Sequence, residues 1–289
     1  MNSITKKKLR ISDAFMYGLI YLCAGMSVFL IAVIIVYVFW KGFSQVNWEF
    51  LTTTTSILRG TVGIAGNILN TIYIILLTML IATPIGVGAA IYLNEYAKPG
   101  RLVKIIELAT ETLSGIPSII FGMFGMMFFG TTLGLKYSIL TGTLTLTLMV
   151  LPLLTRNTQE ALRTVPDSYR HGAVGLGAGK WYTIRTILLP SAMPGIITGV
   201  ILAIGRIVGE SAALLYTAGS SDLLPASAKG YLDKILQPGG TLTIQLYLSA
   251  QDGEFGVAFG IALVLLVIVL AINMVTKFLA KKFDVNRLK

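Results

Sequence analysis

Six stretches of this chain are each long and apolar enough to cross a bilayer, and they fix most of what the chain is able to fold into. A spanning helix needs about 20 mostly apolar residues. Such runs fall near 15–40, 67–92, 105–130, 138–156, 194–217 and 257–279. In hydrocarbon every backbone N–H and C=O must be satisfied within the protein, so runs of this length predict α-helices rather than open sheet. Composition points the same way. The 289 residues are 55% hydrophobic and 12% charged, with a mean hydropathy of +0.79, whereas soluble domains are about one quarter charged. The expected fold class is an all-α integral membrane protein with six transmembrane helices.

Orientation follows from the positions of lysine and arginine. Lys6, Lys7, Lys8 and Arg10 precede the first run. Lys98, Arg101 and Lys104 lie between the second and third, and Arg156, Arg163, Arg170, Lys180 and Arg185 around the connection between the fourth and fifth. Lys277, Lys281, Lys282, Arg287 and Lys289 close the chain. The opposite connections hold only Lys41, Arg59, Lys136, Lys229 and Lys234. Both termini are therefore expected in the cytoplasm, with tails at 1–14 and 281–289. The net charge of +10 reads as this topology signal, which removes the case for nucleic acid. "KKKLR" ahead of an apolar run resembles a signal peptide, but the run is too long and no small-residue cleavage site follows, so 15–40 reads as a retained anchor. Cys23 is the one cysteine. It excludes an intrachain disulfide and is expected to be a small buried hydrophobe. His171, the one histidine, has no cysteine or second histidine with which to share a metal.

The fifth run contains "AIGRIVGESAALL" (203–215), which places Arg206 and Glu210 in an apolar helix. Each charge near a bilayer centre costs about 2.5–3.5 kcal/mol. The i, i+4 spacing predicts that the two share a helical face. Two uses remain open. They form a buried salt bridge that locks helices, or Arg206 offers its planar fork to an oxyanion in transit while Glu210 tempers its field. Two close-packing patterns, Gly195-x-x-x-Gly199 and Gly205-x-x-x-Gly209, predict tight helix contacts, the second beside the charged face. Asn70, with Asn67 and Thr71, either lines a cavity or bonds across helices. Ser114 and Ser118 flank Pro117, which breaks the helix and frees carbonyls for lining. Glu107 and Glu111 are expected in the first turns of the third span, against its positive end.

Between the fourth and fifth spans, 157–189 reads as a helix, a glycine turn and a second helix. Thr164 and Asp167 resemble a capping box with Pro166 in the first turn. Gly177 suits the C-terminal cap, and Pro190 is expected to stop a second helix running Lys180–Leu189. Its apolar and basic side chains suit docking into a groove on another protein or lying on headgroups. "GLGAGKW" mimics a phosphate-binding loop, but the first glycine position is Val174 and the hydroxyl position is Trp181, so nucleotide binding by this chain is rejected. The segment 218–256 is turn-rich, with a short helix expected around Tyr231–Leu236.

The 157–189 hairpin resembles the cytoplasmic signature loop of type I ABC importer permeases. The family's Glu-Ala-Ala triplet falls on His171, Gly172 and Ala173, its glycine on Gly177 and its Leu-Pro on Leu189–Pro190. The glutamate is thus replaced by histidine. "YLNEYA" (92–97), "SGIPSIIFG" (114–122) and "GRIVGE" (205–210) narrow the resemblance to the A-type permease subunits of phosphate-specific ABC transporters, over a permease core at about 60–280. The resemblance implies a heteromeric complex that imports inorganic phosphate by alternating access. Its parts would be this chain, a C-type permease subunit, two cytoplasmic ATPase subunits that hold ATP and magnesium, and an extracytoplasmic phosphate-binding protein, all at the bacterial inner membrane. It further implies a substrate path through Arg206 and Glu210, and coupling to the ATPases through Pro166, Tyr169, Arg170, His171, Gly172, Ala173 and Gly177. No catalytic or metal-binding residue and no cofactor is expected in the chain itself. Permeases for other oxyanions, such as sulfate or molybdate, share the hairpin pattern. A self-sufficient channel has no use for a docking hairpin, and a membrane enzyme needs a catalytic constellation that the sequence lacks.

Overall fold

The computed structural model describes residues 11–56, 60–98, 100–225 and 228–283. Lys6, Lys7, Lys8, Arg10, Arg59, Arg287 and Lys289, which the topology argument used, lie outside these. Helix α1 (Ile11–Phe43) packs chiefly along the last helix, α13 (Phe255–Phe283). From Phe15 to Trp40 its apolar side chains point largely outward, Cys23 included. The expected burial of Cys23 is therefore corrected: α1 sits at the periphery, with too few neighbours to cover them.

A short helix α2 (Trp48–Thr52) and an antiparallel hairpin of β1 (Thr54–Ser56) and β2 (Thr61–Ile64) lead into α3 (Ala65–Ile91). Helix α3 runs on through a π-helical turn, Tyr92–Tyr96. The third span is not one straight helix. It is α4 (Arg101–Ser114) and α5 (Ser118–Gly125, extended by a π turn over Met126–Thr132), bent by 103°. The cause is local. Pro117 drives Ile116 out of the helical region and supplies no N–H, so the ladder stops at Gly115.

Helix α6 (Ile139–Arg163) is the centre of the fold, packed on α3, α9 and α10. Two-thirds of its apolar window, 67%, is buried, against 0% for α1. It starts at Ser138, whose hydroxyl accepts the Thr141 N–H at 3.1 Å, and it outruns the predicted end at 156. The hairpin follows as α7 (Asp167–Gly175) and α8 (Lys180–Thr183). Pro190 does not stop the chain here. A π turn at Ile184–Leu188 widens the helix, and Pro190 takes the first turn of α9 (Leu189–Val208), where a missing N–H costs least.

Glycine contacts set the register of α9 on α6. A methyl on Gly195 would meet Ala161 Cβ at 2.6 Å, and one on Gly199 would meet Asn157 Cβ at 2.8 Å. The first close-packing pattern is therefore a tight crossing. Four residues forward on α9 match four back on α6, so the helices are antiparallel, and Arg206 lies level with about Val150. That is roughly 20 Å from Arg163 at the hairpin end of α6, at 1.5 Å per residue. The second pattern is open, since Gly205 has nothing within 4 Å and Gly209 meets only its own helix.

The fifth span breaks after Val208 and resumes as α10 (Ala212–Thr217), which packs on α5. The 218–256 segment holds α11 (Ala228–Asp233), a 3₁₀ turn (Lys234–Leu236) and α12 (Leu242–Gln251), the last not expected from the sequence. This segment folds back onto the start of α3. Among the described residues, counting the bent pair as one, six helices are long and apolar enough to span a membrane.

Candidate functional site

A cavity of about 460 Å³ opens between α4, α6 and α9. Its wall on α6 is a helical stripe at Met149, Pro152, Leu153, Arg156, Gln159, Glu160 and Arg163. Helix α4 contributes Glu107, Thr110, Glu111 and Ser114, and α9 contributes Arg206. The lining thus sets several charged and polar side chains among apolar ones such as Met149, Pro152 and Leu153. Two of its arginines are held. Arg156 pairs with Glu160 at 3.3 Å, and Arg163 reaches across to Glu107 at 3.7 Å. Among the described residues Arg206 makes no ion pair and no hydrogen bond. It stands, exposed, at the end of the cavity farthest from the hairpin, with its guanidinium donors free for a ligand. An arginine fork matches two oxygens of a tetrahedral oxyanion, so this end of the cavity is suited to an anion.

Several expectations change here. Arg206 and Glu210 do not share a helical face, because α9 ends at Val208 and Glu210 lies in the break that follows. The Glu210 carboxylate accepts the Ala213 N–H at 3.0 Å, and Thr243 of α12 donates to the Glu210 carbonyl at 2.9 Å. Glu210 thus closes the start of α10 and is no partner of Arg206. Glu107 and Glu111 are not in the first turn of α4, which begins at Arg101; they face the cavity instead. Ser114 lines the cavity while its hydroxyl donates to the Glu111 carbonyl at 2.7 Å. Ser118 opens α5, half-buried, and is not among the lining residues.

Asn70 is fully buried and away from the cavity. Its amide donates to the Ser221 and Gly240 carbonyls at 3.0 and 3.1 Å, while Asn67 donates to Gly240 at 3.0 Å and Thr71 accepts the Leu242 N–H at 3.0 Å. These side chains latch the 218–256 segment onto α3 instead of lining the cavity; the bond between Leu242 and Thr71 runs between helices, and the asparagines hold loop carbonyls. Gly66 makes the same approach possible, since a side chain there would strike the Asp222 backbone.

In the hairpin the Thr164–Asp167 capping box does not form. Thr164 donates to the Ala161 carbonyl, and Asp167 meets Arg170 at 3.0 Å. Pro166 takes the cap position, and Gly177, at φ +79°, makes the turn. Such a φ costs an L-residue about 1–2 kcal/mol, hence the glycine. Ala173 is buried, and Gly172 lies beside open space. Tyr169, Val174, Leu176, Trp181 and Tyr182 are exposed, Leu176 at 91%. Arg170 turns inward: its side chain is 22% exposed and pairs with Glu95, itself 9% exposed, at 2.9 Å. Sequence reasoning missed Glu95, Gln159, Glu160 and the cavity-facing sides of Arg156 and Arg163, and it placed Glu107 and Glu111 at a helix end instead of on the cavity wall. For the α6 residues the signal is their helical spacing from 149 to 163, which becomes a single face only once α6 continues beyond 156.

Comparison with known proteins matches the family described as "Binding-protein-dependent transport system inner membrane component" to residues 82–285. The chain is 36% identical to the probable ABC transporter permease protein YqgI of Bacillus subtilis, over 96% of this chain and 99% of that one. It is 33% identical to the phosphate transport system permease protein PstA 1 of Mycobacterium tuberculosis, over 85% and 83%. In fold it is similar to a chain of a bacterial alginate ABC transporter crystallised in complex with an alginate pentasaccharide-bound periplasmic protein. There the TM-score is 0.69 at 15% identity, covering 95% of this chain and 96% of that one.

Proposed function

Because the chain belongs to the family of binding-protein-dependent transport system inner membrane components, with the fold of type I ABC importer permeases, we propose that its cargo is inorganic phosphate. The observation that carries this reading is Arg206, an unpaired guanidinium in a cavity whose other arginines are already paired. A phosphate leaving an extracytoplasmic binding protein would be held there by a bidentate contact. A transport site must also release its cargo, so the contact has to be modest. The neighbouring carboxylates serve that end and also select. Hydrogen phosphate donates a hydrogen bond to a cavity carboxylate such as Glu111, whereas sulfate has no proton to give and is repelled. This favours phosphate over sulfate or molybdate. The discriminating carboxylates are those of the cavity, with Glu210 left to its role at α10.

Energy would come from two partner ATPase subunits that bind ATP and magnesium in the cytoplasm. The exposed Leu176, just past the end of α7, and Trp181 and Tyr182 on α8 offer them an apolar docking surface. A C-type permease would close the open side of the cavity, and the complex would sit in the bacterial inner membrane. The test is to purify the chain with its native partners, reconstitute the complex in liposomes and measure ATP-driven uptake. Phosphate uptake in preference to sulfate is expected. Purification without an ATPase, or a preference for sulfate, overturns the reading.

A further inference from the structure

The Arg170 guanidinium joins three elements. Nη2 and Nε donate to Glu95 Oε1 at 2.9 and 3.3 Å, Nη2 also to the Leu162 carbonyl at 3.1 Å, and Nη1 to the Val165 carbonyl at 3.0 Å. It thus binds the carbonyls of Leu162 at the end of α6 and of Val165 just beyond it, while gripping the π turn that ends α3. Glu95 is nearly buried and is steadied by Asn94 Nδ2 at 2.7 Å. The second hairpin helix reaches the same turn, for Lys180 Nζ lies 4.8 Å above the Tyr96 ring. Two residues before Glu95, Leu93 forms part of the cavity wall. The hairpin is also flanked by two π turns, Tyr92–Tyr96 in space and Ile184–Leu188 in sequence. Such turns are rare and recur at functional sites.

We propose that Arg170 and Glu95 are positioning residues that make the hairpin and the end of α3 move as one body, so that displacement of the hairpin reaches the cavity wall at Leu93. The proposal rests on the transporter reading above. It assigns Arg170 an inward role in place of a direct contact with an ATPase. Without the pair, hairpin motion would still pass along α8 into α9, but the π turn at Ile184–Leu188 would absorb part of it and α3 would lag.

The test uses the complete reconstituted importer. Glu95→Gln keeps the shape and removes the charge. Arg170→Lys keeps the charge and removes the fork that holds two carbonyls and the carboxylates of Glu95 and Asp167 together. In both, the subunits are expected to copurify and hydrolyse ATP as in the wild type, while phosphate moved per ATP falls about fivefold, the low end of ordinary coupling. Amide exchange adds a readout independent of cargo. In the wild type, ATP is expected to change protection of 92–98 and 167–176 together; in Glu95→Gln only 167–176 responds. Unchanged uptake per ATP, a wild-type response of 92–98 in Glu95→Gln, or loss of assembly in both variants overturns the proposal. If the wild type moves no phosphate, the functional reading fails, and amide exchange still decides the role of the pair.

Discussion

Helix α9 carries two glycine pairs of identical spacing, and the structure assigns them opposite sensitivities. A methyl at Gly195 or Gly199 would lie 2.6 or 2.8 Å from a Cβ on α6. Carbon atoms settle at about 3.5–4.0 Å, so the helices must part by about 1 Å. Overpacking of this kind costs about 1–3 kcal/mol. Gly205 faces open space, so alanine there fits without a clash and gains up to about 1 kcal/mol of helix propensity. Thermal unfolding of the detergent-purified chain, followed by tryptophan fluorescence, reads the difference. At about 2–4 °C per kcal/mol for chains approaching this size, Gly195→Ala and Gly199→Ala should each lower Tm by several degrees, and Gly205→Ala should leave it unchanged or raised. Equal losses at Gly199 and Gly205 would refute the register of α9 on α6, and with it the depth assigned to Arg206.

Three other expectations follow from separate parts of the molecule. Gly177→Ala, with φ +79° and no steric obstacle, should strain the hairpin turn by about 1–2 kcal/mol and lower uptake per ATP in the assembled complex; unchanged coupling counts against the hairpin's role. Asn70→Ala removes two buried donors from the latch on 218–256 and should cost about 1–3 kcal/mol, seen as faster proteolysis of that segment; unaltered cleavage would contradict the latch. Lys234 is buried outside the membrane spans, and desolvation, only partly offset by Asp222, lowers its pKa below 10.5. The unfolded chain then binds more protons between the lowered value and 10.5, so stability should rise with pH through that window. Lys234→Met should remove the rise, and a Tm profile with the same slope in both proteins would overturn this account.

The membrane-spanning plan was legible because an apolar run of about 20 residues has few alternatives in lipid. The breaks were harder to read. Pro117 announced an interruption, but the 103° bend depends on α5 finding α10, a partner far along the chain. The i, i+4 pairing of Arg206 and Glu210 assumed an unbroken helix. Gly209 and Ser211 were present as turn formers, yet the bond from Thr243 that holds the Glu210 carbonyl arrives from α12. The hairpin's glycine turn was legible from spacing alone. The inward course of Arg170 was not, because Glu95 lies on a distant span and no local pattern relates them.

The central claim is that Arg206 receives the transported oxyanion. It is tested most directly by phosphate uptake into liposomes containing the assembled complex, wild type against Arg206→Ala. A charge-assisted contact of about 1.5–3 kcal/mol predicts a fall of about 10- to 100-fold, with every subunit still copurifying. Uptake at the wild-type rate, or a complex that falls apart, would contradict the account.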